Sequence, residues 1–151
     1  MYEGLRVTAL IAAAGYGSRF GADVPKQFLK LGDRTVLEQS LDNFIKSPFV
    51  DEIVVVANPD FISETEDLLR EQNIPARVVP GGKERTDSVW EGLMASPDGL
   101  VLIHDAARPF VTPGIIERVA EKAFETGAAV PCVKPKDTIR TASGNLNRDE
   151  L

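Results

Sequence analysis

The chain predicts an α/β fold with a doubly wound, mostly parallel sheet, and three observations carry that reading. Residues 7–14 contain no polar side chain except Thr8, the pattern of a strand buried on both faces of a helix-covered sheet. Apolar strand patterns then alternate with amphipathic helical ones, which calls for right-handed crossovers between parallel strands. Glycines and other turn residues gather after the strands, at the carboxyl ends where open α/β sheets bind ligands.

After the first strand, Thr35 and Glu38 form a capping box ahead of Leu37, Leu41, Phe44 and Ile45, so a helix is predicted over residues 35–46. Residues 52–57 make the second strand, closed by Asn58-Pro59, and Ser63 with Glu66 starts a helix ending near Asn73. A short strand over 77–79 leaves through the loop 80–85. Thr86 or Asp87 then caps a short helix on which Val89, Trp90, Leu93 and Met94 recur at core-packing spacing. Residues 100–104 form a further strand that delivers Asp105, and Thr112-Pro113 opens a helix closed by Gly127. Residues 137–148 alternate polar with apolar around Ser143-Gly144-Asn145, which predicts a hairpin projecting from the sheet. This divides the chain into an α/β core over 1–133 and the start of a β-arm over 134–151. The hairpin's second leg is short, so the chain reads as truncated at its C-terminus.

The exit of the first strand carries the chemistry. Gly15 and Gly17 let main-chain amides approach phosphate oxygens without an intervening Cβ, while Ala12, Ala13 and Ala14 offer the same access to a flat base. Arg19 and Lys26 follow, supplying the two cations that a polyphosphate cradle requires. An ordinary strand-to-helix turn would show the same glycines. A dinucleotide fingerprint is excluded, because Phe20 stands where its third glycine belongs, and no Gly-Lys-Ser/Thr tripeptide provides a Walker A loop. Lys26 could be a solvated surface lysine, but its place after Pro25 in a glycine-rich segment favours the functional reading, and Asp105 could simply cap its turn. His104, the only histidine, precedes the carboxylate on an apolar strand and reads as structural.

Composition narrows the field. Hydrophobic and charged contents of 43% and 26% suit one globular domain. A net charge of −6 opposes general nucleic-acid or membrane-surface binding, which relies on a basic excess. The single Cys132 lies in the apolar run 128–133 and reads as a small core residue. No signal-peptide pattern and no apolar stretch of ~20 residues is present, so a cytoplasmic setting is expected, or a plastid one for a plant protein.

Four stretches stand in order: Ala12-Ala-Ala-Gly-Tyr-Gly-Ser-Arg19 with Pro25-Lys26-Gln27, Gly81-Gly82-Lys-Glu-Arg85-Thr-Asp-Ser88-Val, His104-Asp-Ala-Ala-Arg-Pro-Phe110, and Lys136-Asp-Thr138. Together they closely resemble the 2-C-methyl-D-erythritol 4-phosphate cytidylyltransferases of the non-mevalonate isoprenoid pathway. The resemblance implies a Rossmann-like nucleotidyltransferase sheet and transfer of CMP from CTP to methylerythritol phosphate with release of pyrophosphate. It also implies magnesium or another divalent cation, and a homodimer formed through the arm. On the same basis Arg19 and Lys26 would hold the triphosphate and stabilise the transition state. The backbone of Ala12, Ala13, Ala14, Gly15 and Gly17, with Gly82 and Ser88, would contact the nucleotide, and Arg85 would order that loop. Asp105 matches the metal-binding aspartate. Arg108 and Thr138 would lie near the sugar phosphate, and Arg148 would reach the substrate from the partner's arm. The chain departs from the family in lacking its further C-terminal motifs and in carrying Asn147 where an aspartate is usual. Two other readings remain: a ribitol 5-phosphate cytidylyltransferase, and an inactive nucleotide-binding or dimerisation fragment.

Overall fold

The computed structural model describes residues 2–15, 25–134, 139–142 and 144–146. Strand β1 (Arg6–Ala13) is the centre of a four-stranded parallel sheet. β4 (Glu52–Ala57) lies on one side of it with β5 (Arg77–Pro80) beyond, and β6 (Gly99–Asp105) lies on the other, giving the order β5-β4-β1-β6. The chain therefore builds outward from β1 in one direction and then returns to its opposite flank, as a doubly wound sheet does.

The apolar run of β1 is buried on both faces because helices cover both. Val7, Ala9, Ile11 and Ala13 pack with Leu37, Leu41 and Phe44 of α1 (Val36–Ile45), Leu69 of α2 (Ile62–Glu71), and Ile116 and Ala120 of α4 (Pro113–Thr126). Leu10 points to the other face, where it joins Val54, Val56 and the half-buried Leu93 of α3 (Arg85–Ala95). α3 approaches closely only because Gly92 has no side chain. A Cβ there would come within 2.6 Å of Leu10 Cδ1 and 2.7 Å of Val56 Cγ2.

The predicted caps of α1 and α4 form. Thr35 Oγ1 accepts from the Glu38 N–H at 3.2 Å, and Glu38 Oε2 accepts from the Thr35 N–H at 2.6 Å. Pro113 opens α4, and Gly127 closes it with φ of 85°, in the left-handed region glycine tolerates best. A two-stranded antiparallel pair, β2 (Lys30–Leu31) with β3 (Arg34–Thr35), precedes α1 and was not anticipated. β7 (Ile139–Thr141) and β8 (Gly144–Leu146) pair antiparallel as a hairpin, but Gly144 and Asn145, expected in its turn, lie on β8 opposite Thr141 and Arg140.

Four expectations are corrected. Ser63 does not start α2: the chain turns through a 3-10 segment, Pro59–Phe61, capped by Asn58, whose side chain accepts from the Asp60 N–H at 2.9 Å. Neither Thr86 nor Asp87 is the cap of α3. The helix begins at Arg85 after Glu84, and Asp87 accepts from the Glu84 N–H at 3.1 Å from inside the first turn. Trp90 and Met94 are 59% and 64% exposed, because Gly92, Ser88 and Leu93 mark the inward side of α3 and leave these two on the outer one. Cys132 is exposed as well, since residues 128–134 follow the surface outside any helix or strand after α4 ends. Among the described residues β6 pairs only with β1, so its far side is an edge, beside which Ile103 is 47% exposed.

His104 fills its predicted structural role. Its ring centroid lies 5.1 Å from that of Phe44, and Nε2 is 2.9 Å from the Arg108 carbonyl oxygen, so a neutral ring protonated on Nε2 donates there. Burial pushes the imidazole below its ordinary value, outweighing the opposing pull of the Arg108 carbonyl and Asp105.

Two outcomes follow for stability. Gly92→Val should destabilise the fold by about 1–3 kcal/mol through overpacking against Leu10 and Val56, read as a lower urea midpoint with unchanged slope. Acidification from pH 7 should cost stability as the unfolded chain's histidine protonates near pH ~6.5 while folded His104 stays neutral to lower pH. His104→Gln should flatten the pH dependence of the melting temperature in that window.

Candidate functional site

The carboxyl ends of β1, β4, β5 and β6 are brought level by register: Ala12 lies opposite Asp105, Ala13 opposite Ala57, and Ala57 opposite Pro80. Across them opens a cleft of about 870 Å³. Its floor is the exit of β1, and its walls are the loop after β5, the turn after β6 and the segment beginning at Lys26.

Two amide side chains fix that floor. Gln27, buried, donates from Nε2 to the Ala13 carbonyl at 2.7 Å, and Asn58 donates from Nδ2 to the Ala14 carbonyl at 3.3 Å. With both carbonyls engaged from below, the backbone leading into Gly15 is held in one course before it reaches the cleft. Gln27 belongs to the 3-10 turn Lys26–Phe28, so burying its side chain also seats the half-buried Lys26 on the cleft wall.

The opposite wall depends on close backbone contact. The Gly81 N–H donates to the Ala57 carbonyl at 2.8 Å. A Cβ on Gly81 would stand 2.5 Å from that of Ala14 and 2.8 Å from Ser88 Oγ, so only glycine lets this loop touch the β1 exit. Ser88 is buried and donates its hydroxyl to the Glu84 carbonyl at 3.0 Å, tying the loop to the first turn of α3. The β6 turn is anchored in the same manner. The Ala106 N–H donates to the Ala12 carbonyl at 3.0 Å, and the buried Ser40 hydroxyl donates to the Ala106 carbonyl at 2.7 Å.

Asp105 stands at the mouth between two guanidinium groups. Arg85 donates to Oδ1 from Nη2 at 2.8 Å and from Nε at 3.3 Å, and Arg108 donates to Oδ2 from Nε at 3.1 Å. Partial burial pushes the Asp105 carboxyl upward, but Arg85 and then Arg108 outweigh it and hold the group below the ordinary carboxylate range. It is ionised at neutral pH.

The structure thus brings Ala12, Ala13, Ala14, Gly15, Lys26, Gly82, Arg85, Ser88, Asp105 and Arg108 to one cleft. Gly17, Arg19, Thr138 and Arg148 lie outside the described residues. Sequence reading missed Asn58, taken only as a strand terminator, and gave Gln27 no role beyond its place in a motif. No described group of three or more histidine, cysteine or acidic side chains could hold a metal by itself. Asp105 fits as one ligand of a hard cation whose remaining ligands are phosphate oxygens and water, an arrangement common for magnesium.

Comparison with known proteins bears on this arrangement. The family described as 2-C-methyl-D-erythritol 4-phosphate cytidylyltransferase matches over residues 7–148. A protein of that description from Corynebacterium glutamicum is 44% identical across 91% of this chain and 59% of its own length. One from Clostridium botulinum is 45% identical across 95% of this chain and 67% of its own. Among solved structures, 4-diphosphocytidyl-2C-methyl-D-erythritol synthase from Anaerococcus prevotii superposes with a TM-score of 0.82 at 30% identity, covering 98% of this chain and 66% of that one. The cytidylyltransferase structure from Thermus thermophilus gives 0.74 at 34% identity, covering 97% and 66%. The chain spans about three-fifths of the length of its Corynebacterium relative. With the match running through the β1 exit, the glycine loop and the Asp105 turn alike, the chain belongs to the 2-C-methyl-D-erythritol 4-phosphate cytidylyltransferase family.

Proposed function

We propose that the protein transfers CMP from CTP to 2-C-methyl-D-erythritol 4-phosphate and releases pyrophosphate, a step in isoprenoid precursor synthesis. The observation that carries this reading is the convergence of Lys26, the Gly81-Gly82 loop and Asp105 on the backbone exit of β1. It is supported by the family to which the chain belongs.

The reaction asks little covalent chemistry of the protein. A phosphate oxygen of the polyol attacks the α-phosphorus of CTP, the bond to the bridging oxygen breaks, and pyrophosphate leaves with that electron pair. The nucleophile is already an anion, so catalysis reduces to alignment and neutralisation of charge. Lys26 supplies positive charge to the triphosphate from the cleft wall. Gly15 and Gly82 admit the nucleotide against bare backbone, and Ser88 keeps the loop in place. Arg108 serves the polyol phosphate. Arg19 would join Lys26 on the triphosphate, with Gly17 in the same loop, while Thr138 and a partner subunit's copy of Arg148 would complete the sugar-phosphate side. Magnesium or another divalent cation, when bound, would neutralise charge shared between the phosphates, with Asp105 as its protein ligand. The division into a core over 1–133 and an arm over 134–151, a homodimer through that arm, and a cytoplasmic location belong to the same proposal. No described helix is long and apolar enough to cross a membrane.

The test is pyrophosphate release from CTP with methylerythritol phosphate or ribitol 5-phosphate as acceptor. Release with the first and not the second is expected, and the reverse would replace the assignment. Lys26→Ala should lower kcat by ~10²–10³ with the melting temperature kept. Chelation by EDTA should abolish turnover, and added magnesium should restore it. Gln27→Ala should cost about 1–3 kcal/mol of stability, because it strips the Ala13 carbonyl of its buried donor, and should also raise KM for CTP.

A further inference from the structure

The doubly paired carboxylate at the cleft mouth has a consequence for the order in which ligands arrive. We propose that Arg85 gates Asp105: with no polyphosphate present, Arg85 and Arg108 occupy both carboxylate oxygens, and an incoming polyphosphate draws Arg85 away and frees Asp105 for a divalent cation. The identity of that polyphosphate as CTP rests on the function proposed above.

Each part of the gate is visible in the geometry. Arg85 reaches from the first turn of α3, on one wall of the cleft, to Asp105 at the end of β6 on the other. Its Nη2 lies 2.8 Å from Oδ1, while Arg108 Nε, from the same turn as the carboxylate, lies 3.1 Å from Oδ2. Two guanidinium groups around one carboxylate leave a local charge of the same sign as a metal ion. The cluster therefore repels a free cation as well as covering the oxygens it would use.

The pair is also made to be exchanged. Arg85 is 64% exposed and Asp105 32% exposed, so water screens the attraction and each bond contributes little by itself. A triphosphate offers Arg85 several anionic oxygens in the geometry its planar fork matches best, and more charge than one carboxylate. Arg108 remains beside Asp105 through its own backbone, since its N–H donates to the Asp105 carbonyl at 3.0 Å. Among the described residues Arg85 is held at Asp105 by its side chain alone, so it is the member that leaves. In this reading it is a positioning residue that acts through Asp105. Cation and nucleotide then bind together, and the cation alone binds poorly.

The experiment is a titration with Mn²⁺ alone, followed by electron paramagnetic resonance, on the purified protein and its variants. Arg85→Gln should bind Mn²⁺ roughly three- to fivefold more tightly than the parent, as expected for release of one partly exposed ion pair. Arg85→Lys should stay close to the parent, and Arg85→Gln combined with Asp105→Asn should lose the gain. Unchanged affinity in Arg85→Gln, or a gain that survives Asp105→Asn, overturns the gate. A second arm follows the Arg85 Nε resonance in EDTA: CTP should move it toward its position in Asp105→Asn, and cytidine should not. A resonance that stays in place while CTP binds also overturns the gate. A Mn²⁺ gain in a protein that fails to bind CTP supports the hold of Arg85 on Asp105 and removes the nucleotide assignment instead.

Discussion

Everything at the cleft depends on parallel pairing at the centre of the sheet. Because β1 is hydrogen-bonded on both sides, its register places Ala12 beside Asp105 and Ala13 beside Ala57, and the latter in turn sets Pro80 and the glycine loop. Four segments distant in sequence end on one line, since a one-residue shift would exchange the side chains that β1 presents to its two buried faces. The hydrophobic burial of Val7, Leu10 and Ile11 is therefore also what aims the polar groups.

From that line outward, control passes to hydrogen bonds that consume backbone carbonyls. Gln27 and Asn58 take those of Ala13 and Ala14, Ser40 takes that of Ala106, and Ser88 takes that of Glu84. Each donor comes from an element already fixed by packing, so the rim is held by the core beneath it. This leaves the charged groups at the mouth, Asp105 with its two arginines, as the part of the cleft that can rearrange without disturbing the fold.

The parts of this architecture that could be read from sequence are those with local causes. The run 7–14, the Thr35–Glu38 capping box and the Pro113 and Gly127 signals all report on neighbours within a few residues. Readings that needed knowledge of the third dimension went astray. Helical spacing grouped Trp90 with Leu93 and Met94 but could not say which side of α3 met the sheet, and it was Gly92 that did. Cys132 sits in an apolar run, yet the chain there follows the surface outside any element. Gln27 and Asn58 carry no signal of their role because their partners lie 14 and 44 residues away. Gly15, Lys26 and Asp105 at the cleft were legible as candidates because they stand at or just beyond strand exits, where open α/β sheets bind ligands, whereas Gly82, Arg85, Ser88 and Arg108 came only through the family resemblance.

The edge presented by β6 has a colloidal consequence. A strand border unpaired among the described residues, with Ile103 beside it, on a molecule that also displays Trp90 and Met94, offers a template for a neighbouring copy to extend the sheet. Wherever that border is bare, mutual repulsion among molecules carrying −6 each is what opposes such stacking. Screening by concentrated salt removes that defence, and solubility then becomes a property of ionic strength.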